Sequence, residues 1–289
     1  MERRDFLKLS LYASTLLVSG CGSGGISGSE TRPTSNPNPT KTRQLPIPPL
    51  LNPAPDSNGV KNYNLTIQKS SHTFFEGVQT KTYGINGSYL GPTLLMKNGD
   101  SVKINYINRL DEITTMHGHG MHVPAKMDGG PHQTIEPNSS WIAEYVVKQK
   151  ASTNWYHPHK MGKTAEQVYF GLAGFIIVED NDSDTLNIPK KYGVDDIPLV
   201  IQDRRFESNG ELDYSPTRME IMQGYKGDTF LVNDAIEPTF TAKAGWLRLR
   251  LLNGSNASIY KMGFEDERTF YQIATDNSFL ESPVALKYV

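Results

Sequence analysis

The chain has 289 residues, a formal net charge of -2 and a single cysteine, and its mean hydropathy is negative. These values exclude a membrane-embedded body and provide no basic surface for nucleic acid. The length leaves room for about two domains.

Residues 1–21 have the pattern of an export signal. Arg3 and Arg4 form a twin-arginine signature, and the apolar stretch that follows at 9–20 is shorter than the roughly 20 residues needed to span a bilayer. The four residues that end at Cys21 resemble a bacterial lipobox, which predicts that Cys21 is lipidated and anchors the protein to a membrane. An ordinary signal with a chance cysteine is the alternative. Either signal predicts a protein of the periplasm or cell envelope.

Residues 22–44 are rich in Gly, Ser, Thr, Asn and Pro and have almost no apolar side chains. This composition predicts a disordered linker that holds the globular part away from the membrane. The prolines of residues 45–51 then predict an extended arm, because proline cannot join a central β-ladder.

Strand periodicity governs the rest of the chain. Apolar and polar residues alternate over 102–106 and 141–147, and the apolar run 175–178 is typical of a fully buried strand. Leucines alternate with Trp and Arg over 246–251, so we expect those leucines to share one face. Frequent Gly and Pro clusters favour an all-β sandwich.

Two His-x-His motifs are the strongest chemical signal in the chain. His117 and His119 form the first pair, and His157 and His159 form the second. On a strand, each pair presents two imidazoles on one face with Cβ atoms roughly 6.7 Å apart. Four imidazoles without a nearby thiolate suit Cu, Zn, Ni or Fe, and the spacing permits one ion or two neighbouring ions.

A chance occurrence on a half-buried strand is the alternative to a metal site, since imidazoles also hydrogen-bond inside protein cores. Two pairs in one domain-sized stretch, each beside a turn, favour the metal site. The other histidines, His72, His122 and His132, have no partner at ligand spacing, and we expect them to be ordinary surface residues.

Around these motifs the chain resembles the amino-terminal part of multicopper oxidases, and most closely the bacterial periplasmic cuprous oxidases of copper efflux. The resemblance rests on TTMHGHG (114–120), MDGGP (127–131), WYHPHKMGKT (155–164), GLAG (171–174) and GWLRLRLLNG (245–254). It implies tandem cupredoxin-like Greek-key β-sandwiches, the first over residues 45–182 and the second, incomplete, over 190–289.

The resemblance also implies a set of site residues. In the family, the two motifs supply half of the eight histidines around a three-copper cluster that reduces O2 to water. His117 would bind the type 2 copper, His119 and His157 one type 3 copper, and His159 the other type 3 copper. Asp128 matches an acidic residue that helps to deliver protons, although a turn-forming role in Asp-Gly-Gly-Pro is equally compatible with its position. The reductant would be Cu(I) or a phenol.

The single cysteine limits what these residues do alone. The family's electron-entry copper needs a cysteine within a His-Cys-His motif, whereas this chain has only Cys21 and no histidine after His159. We therefore expect a truncated oxidase, from a fragment or a frameshifted gene, that is inactive alone and needs a missing carboxy-terminal domain or polypeptide. A two-domain oxidase with copper sites between subunits is the alternative, but it also requires a cysteine.

Two non-catalytic functions stay open at this stage. One is an envelope lipoprotein that binds and buffers copper or zinc through the four histidines. The other is a copper-free structural relative similar to the family's cell-division members, which the retention of all four motif histidines disfavours.

Overall fold

A computed structural model describes residues 43–289. The predicted export signal (1–21), the predicted lipidation site Cys21 and all but the last two residues of the predicted linker (22–44) lie outside the described residues. Within the described range, no helix is long and apolar enough to cross a bilayer.

The described part of the chain consists mainly of β-strands, which confirms the all-β prediction. The strands are β1 (Leu50–Leu51), β2 (Val60–His72), β3 (Thr80–Ile85), β4 (Thr93–Lys97), β5 (Ser101–Asn108), β6 (His117–His119), β7 (Ser140–Val146), β8 (Ser152–His157), β9 (Gly174–Glu179), β10 (Asp196–Arg204), β11 (Thr229–Val232), β12 (Ala235–Ile236), β13 (Arg248–Asn253), β14 (Phe270–Thr275) and β15 (Ser278–Leu286). The helices are short: α1 (Thr164–Tyr169), α2 (Asn181–Thr185), α3 (Arg218–Gln223) and a 3-10 helix at Ala125–Met127.

Two sheets form a sandwich in the first half of the described chain. One sheet has the order β3-β2-β5-β7 and the other has the order β1-β4-β9-β8-β6. Leu65 and Ile104 of the first sheet share one apolar core with Leu94 and Ile176 of the second. The predicted alternations of β5 and β7 are confirmed, and β9 is buried from Gly174 to Val178. The central position of β9, between β4 and β8, explains that burial.

The proline-rich arm joins both halves of the molecule. Leu50 and Leu51 pair in parallel with β4 at the edge of the five-stranded sheet. Farther upstream, the amide of Leu45 donates a 2.7 Å hydrogen bond to the carbonyl of Thr239. The arm is extended and lies at a sheet edge. Proline has no backbone N–H to donate, and at an edge this removes no hydrogen bond from the middle of the sheet.

A third sheet, of order β12-β11-β10-β13, and the β14-β15 hairpin follow. An apolar cluster unites Phe74 and Phe175 of the first half with Val200 and Leu231 of the second. Because this core is shared, the division into domains at 45–182 and 190–289 stays a prediction.

The buried residue of β13 is an arginine rather than one of the alternating leucines. Leu251 is exposed, whereas Arg250 is buried and its guanidinium donates two hydrogen bonds, of 2.8 and 2.7 Å, to the Asp196 carboxylate. Asp196 lies on the neighbouring parallel strand β10. A paired arginine can be buried because the carboxylate compensates its charge and satisfies its donors.

Candidate metal centre

The centre is built on the antiparallel ribbon of β6 and β8. In its register His117 lies opposite His157, and His119 lies opposite Trp155. Directly opposed residues of an antiparallel pair share a face, so three imidazoles and one indole project together. Gly118 and Tyr156 form the middle pair and face the other way, where Tyr156 is buried in the core.

His159 lies just beyond the end of β8. Its backbone amide donates a 2.7 Å hydrogen bond to the Thr115 hydroxyl, which ties this segment to the residues just before β6. The ring centroid of His159 is 5.4 Å from that of His117 and 6.0 Å from that of His157. The structure therefore brings all four motif imidazoles into one cluster.

The closest pair of ring nitrogens is Nδ1 of His119 and Nε2 of His157, which are 3.2 Å apart. Two nitrogens bound to one ion at about 2.0 Å, with a roughly tetrahedral angle between them, lie about 3.3 Å apart. Ligand atoms of His117, His119 and His157 all lie within 4.8 Å of one another. The 3.2 Å spacing between His119 and His157 matches what two ligands of one ion require.

Backbone carbonyls orient two of the rings. Nδ1 of His117 is 2.8 Å from the carbonyl oxygen of Asp128, and Nδ1 of His157 is 2.7 Å from the carbonyl oxygen of Pro158. A carbonyl only accepts, so each Nδ1 carries the proton and each Nε2 keeps its lone pair. This is the arrangement by which proteins fix the tautomer of a metal-binding histidine.

The surroundings of His119 and His157 favour their neutral forms. The pKa of His157 is lowered to about 3, chiefly by burial; the neighbouring histidines act in the same direction, and the hydrogen bond to Pro158 opposes them. Burial and the nearby His117 also lower the pKa of His119. Since a metal ion binds neutral imidazole, these two rings do not have to lose a proton at neutral pH.

Asp128 lies beside His117 in the turn that follows the 3-10 helix. One carboxylate oxygen is 3.2 Å from Nδ1 of His117, in addition to the contact made by the Asp128 carbonyl. Gly129 has a φ of +72°, and a Cβ there would overlap the carbonyl oxygen of Met116. The turn is thus held against β6, and Asp128 both forms the turn and faces the centre.

Gly118 leaves no open space beside the ribbon. A Cβ at Gly118 would meet the side chain of Met121 at 3.2 Å and that of Ile176 at 3.9 Å. Met121 therefore fills the space beside this strand.

The expectation that His72 lies at the surface is wrong. His72 is 5% exposed, with Nδ1 2.9 Å from the Ser88 hydroxyl and Nε2 2.9 Å from the Asp234 carbonyl. Its partners come from distant parts of the chain, so no local pattern reveals them. His122 and His132 are exposed, as expected.

Sequence reasoning missed Trp155 as part of the site. Its ring centroid is 4.0 Å from that of His157 in a stacked arrangement and 5.3 Å from that of His119. The available signal was the two-residue period of β8, which places Trp155 and His157 on one face.

The donor set fits copper. It consists of clustered imidazoles, and the hydrogen bonds of His117 and His157 leave Nε2 of both rings available. Imidazole is a ligand that copper, zinc, nickel and iron share, so the chemistry of the donors alone does not select among them.

Comparisons with known proteins identify the family to which residues 66–183 belong. A family model for multicopper oxidase matches residues 66–183. The multicopper oxidase mco of Staphylococcus aureus is 44% identical over 246 residues, which cover 85% of this chain and 54% of that protein. The cell division protein FtsP of Xenorhabdus nematophila is 39% identical over 287 residues, which cover 99% of this chain and 57% of that protein. The chain spans about half the length of the curated relatives it matches.

Solved structures agree with the sequence matches. The laccase-like multicopper oxidase CueO from Ochrobactrum sp. is 40% identical with a TM-score of 0.78, over 85% of this chain and 54% of that chain. A laccase from Pediococcus acidilactici is 34% identical with a TM-score of 0.82, over 88% of this chain and 54% of that chain. The cupredoxin-like prediction is confirmed by these folds. Residues 66–183 are a domain of the multicopper oxidase family, and the chain corresponds to the amino-terminal portion of its relatives.

Proposed function

We propose that His117, His119, His157 and His159 bind copper and supply half of the ligands of a three-copper cluster. The 3.2 Å separation between Nδ1 of His119 and Nε2 of His157 carries this proposal, because it suits two ligands of one ion. His119 and His157 would then share one type 3 copper. His117 would bind the type 2 copper, and His159 would bind the other type 3 copper.

The reaction we propose for the complete protein is the oxidation of Cu(I) or a phenolic reductant, coupled to the reduction of O2 to water. Bound copper would supply the one-electron redox chemistry and the coordination of O2. The chain's own residues would position the ligands and handle protons. The Asp128 carboxylate lies 3.2 Å from Nδ1 of His117, where it would hold a proton beside the cluster.

These 289 residues alone should bind copper without oxidase turnover. Their one cysteine is Cys21, and an electron-entry site of the family's type needs a cysteine flanked by cluster histidines. We infer that this thiolate and the remaining cluster histidines come from a further domain or polypeptide.

The proposed location is the cell envelope. The twin-arginine pattern and the lipobox-like sequence support export and lipidation at Cys21. Labelling cells with a fatty-acid analogue tests this directly, since a Cys21→Ser variant should lose the label and leave the membrane fraction.

A non-catalytic envelope protein is the second candidate. It is favoured by the identity of FtsP proteins to this chain, which is close to that of the oxidases. In this role the chain would be the copper-free structural relative that the sequence leaves open, and it would bind no copper.

Metal analysis and O2 uptake separate the candidates. The full chain is loaded with copper, dialysed and compared with His119→Ala and with His122→Ala, a matched control at an exposed histidine. Copper that is lost only in His119→Ala supports the proposed ligands, whereas equal copper in all three proteins refutes them. Appreciable O2 uptake by these 289 residues, with a phenol or Cu(I), would refute the proposed inactivity.

A further inference from the structure

We propose that Trp155 is a positioning residue of the copper centre, which it serves by fixing the plane of the His157 ring. The inference rests on the proposed function, because it treats His157 as a ligand. Trp155 lies outside the set of residues that the motif pattern assigns to metal binding. Its stacking geometry and its place in the ribbon support the role.

The indole and the imidazole are in face-to-face contact. Their centroids are 4.0 Å apart and their planes differ by 27°. Trp155 also lies 5.3 Å from the His119 ring, with an interplanar angle of 30°. One indole therefore contacts both rings whose nitrogens approach to 3.2 Å.

Strand pairing fixes Trp155 in this position. Trp155 lies opposite His119 on β6 and opposite Phe175 on β9, so β8 is held on both sides. The side chain also packs against the apolar cluster that joins the two halves of the molecule. Trp155 thus links the centre to a rigid core.

His157 needs a second constraint because a single hydrogen bond does not fix its ring. The bond from Nδ1 to the Pro158 carbonyl holds one atom, while the χ2 torsion of histidine has a broad energy profile. A flat indole against the imidazole face restricts that rotation and keeps Nε2 directed at Nδ1 of His119. Groups that orient metal ligands in this way typically change metal affinity about 10-fold to 100-fold when they are removed.

The chain offers a matched control in Trp141. Trp141 stacks on Tyr106 at 5.7 Å with an interplanar angle of 11°, but it lies on β7 of the other sheet. Its replacement removes an indole from a stacked pair in the same sandwich without touching the four histidines.

The test measures copper affinity by competition with a chelator in the full chain. We expect Trp155→Leu to bind copper about 10-fold or more weakly, with a changed EPR spectrum of bound Cu(II). Trp155→Phe, which keeps a flat ring, should restore most of the affinity and the original spectrum, and Trp141→Leu should leave both unchanged. If Trp155→Leu does not fold, Trp155→Phe is compared with Trp155→Met, which retains bulk without a ring.

Two negative results have different meanings. Wild-type affinity and EPR spectrum in the ringless Trp155 variant would overturn the positioning role while leaving the ligand assignment intact. A wild-type chain whose copper binding is unaffected by His119→Ala would instead overturn the proposed function.

Discussion

Two buried histidines in this molecule have similar exposure and different surroundings. His72 and His157 are 5% and 6% exposed, and burial lowers the pKa of both. Both ring nitrogens of His72 meet protein oxygens, from Ser88 and Asp234. In His157 only Nδ1 meets a carbonyl, and Nε2 faces another imidazole. The nitrogen left for a metal ion, rather than burial, separates the proposed ligand His157 from the structural histidine His72.

The largest expected effect is on copper binding in His157→Ala. Removing a ligand should cost more than removing a group that merely orients one, so we expect an affinity loss of about 100-fold or more. His72→Ala should retain wild-type affinity because neither of its ring nitrogens faces the centre. Chelator competition on both variants measures the contrast, and similar losses in the two would break the comparison.

The second-largest expected effect is on stability. Here we expect His72→Ala to lose more than His157→Ala, which reverses their order in copper affinity. His72→Ala leaves the Ser88 hydroxyl and the Asp234 carbonyl without their imidazole partner in a buried place. We expect a loss of about 1–3 kcal/mol in the free energy of unfolding of the metal-free protein. Urea denaturation measures it, with exposed His132→Ala as the control. A loss no greater than that of His132→Ala would contradict the structural role.

A pH series sharpens the same point. Burial lowers the pKa of His72 below its ordinary value of 6.5 in the folded protein. Below pH 6.5 the unfolded chain therefore takes up a proton that folded His72 resists, so stability falls as the pH decreases. His72→Gln should show a flatter profile between about pH 7 and pH 5. Urea unfolding of the metal-free protein at each pH checks this, and an unchanged slope would exclude His72 as the source.

The local sequence predicts the strands that carry the paired histidines, but it does not predict which distant residues contact buried polar side chains. The two-residue period of a strand brings His117 next to His119, and the apolar run of β9 indicates its burial without knowledge of any partner. The partners of Arg250 and His72 lie 54 and 162 residues away. No periodicity within β13 or β2 identifies such a partner.

The role of Trp155 also depends on contacts between residues that are far apart in the sequence. Its sequence position shows that it shares a face with His157, but the opposition to His119 follows only from the register of β6 and β8. Register depends on which strands pair, and β6 and β8 are separated by β7 in the chain. The ligand types were thus accessible from sequence, whereas their supporting contacts were not.

The smallest expected effect on copper affinity is that of Asp128→Asn. The contact that holds His117 is made by the Asp128 backbone carbonyl at 2.8 Å, which this substitution keeps. Asparagine also suits the turn, so we expect affinity to change by less than about 3-fold. Gly129→Ala, by contrast, would drive a Cβ into the Met116 carbonyl and displace the turn from His117. Copper titration of both variants tests whether the backbone or the carboxylate of this turn orients the ligand. A larger loss in Asp128→Asn than in Gly129→Ala would assign that role to the carboxylate.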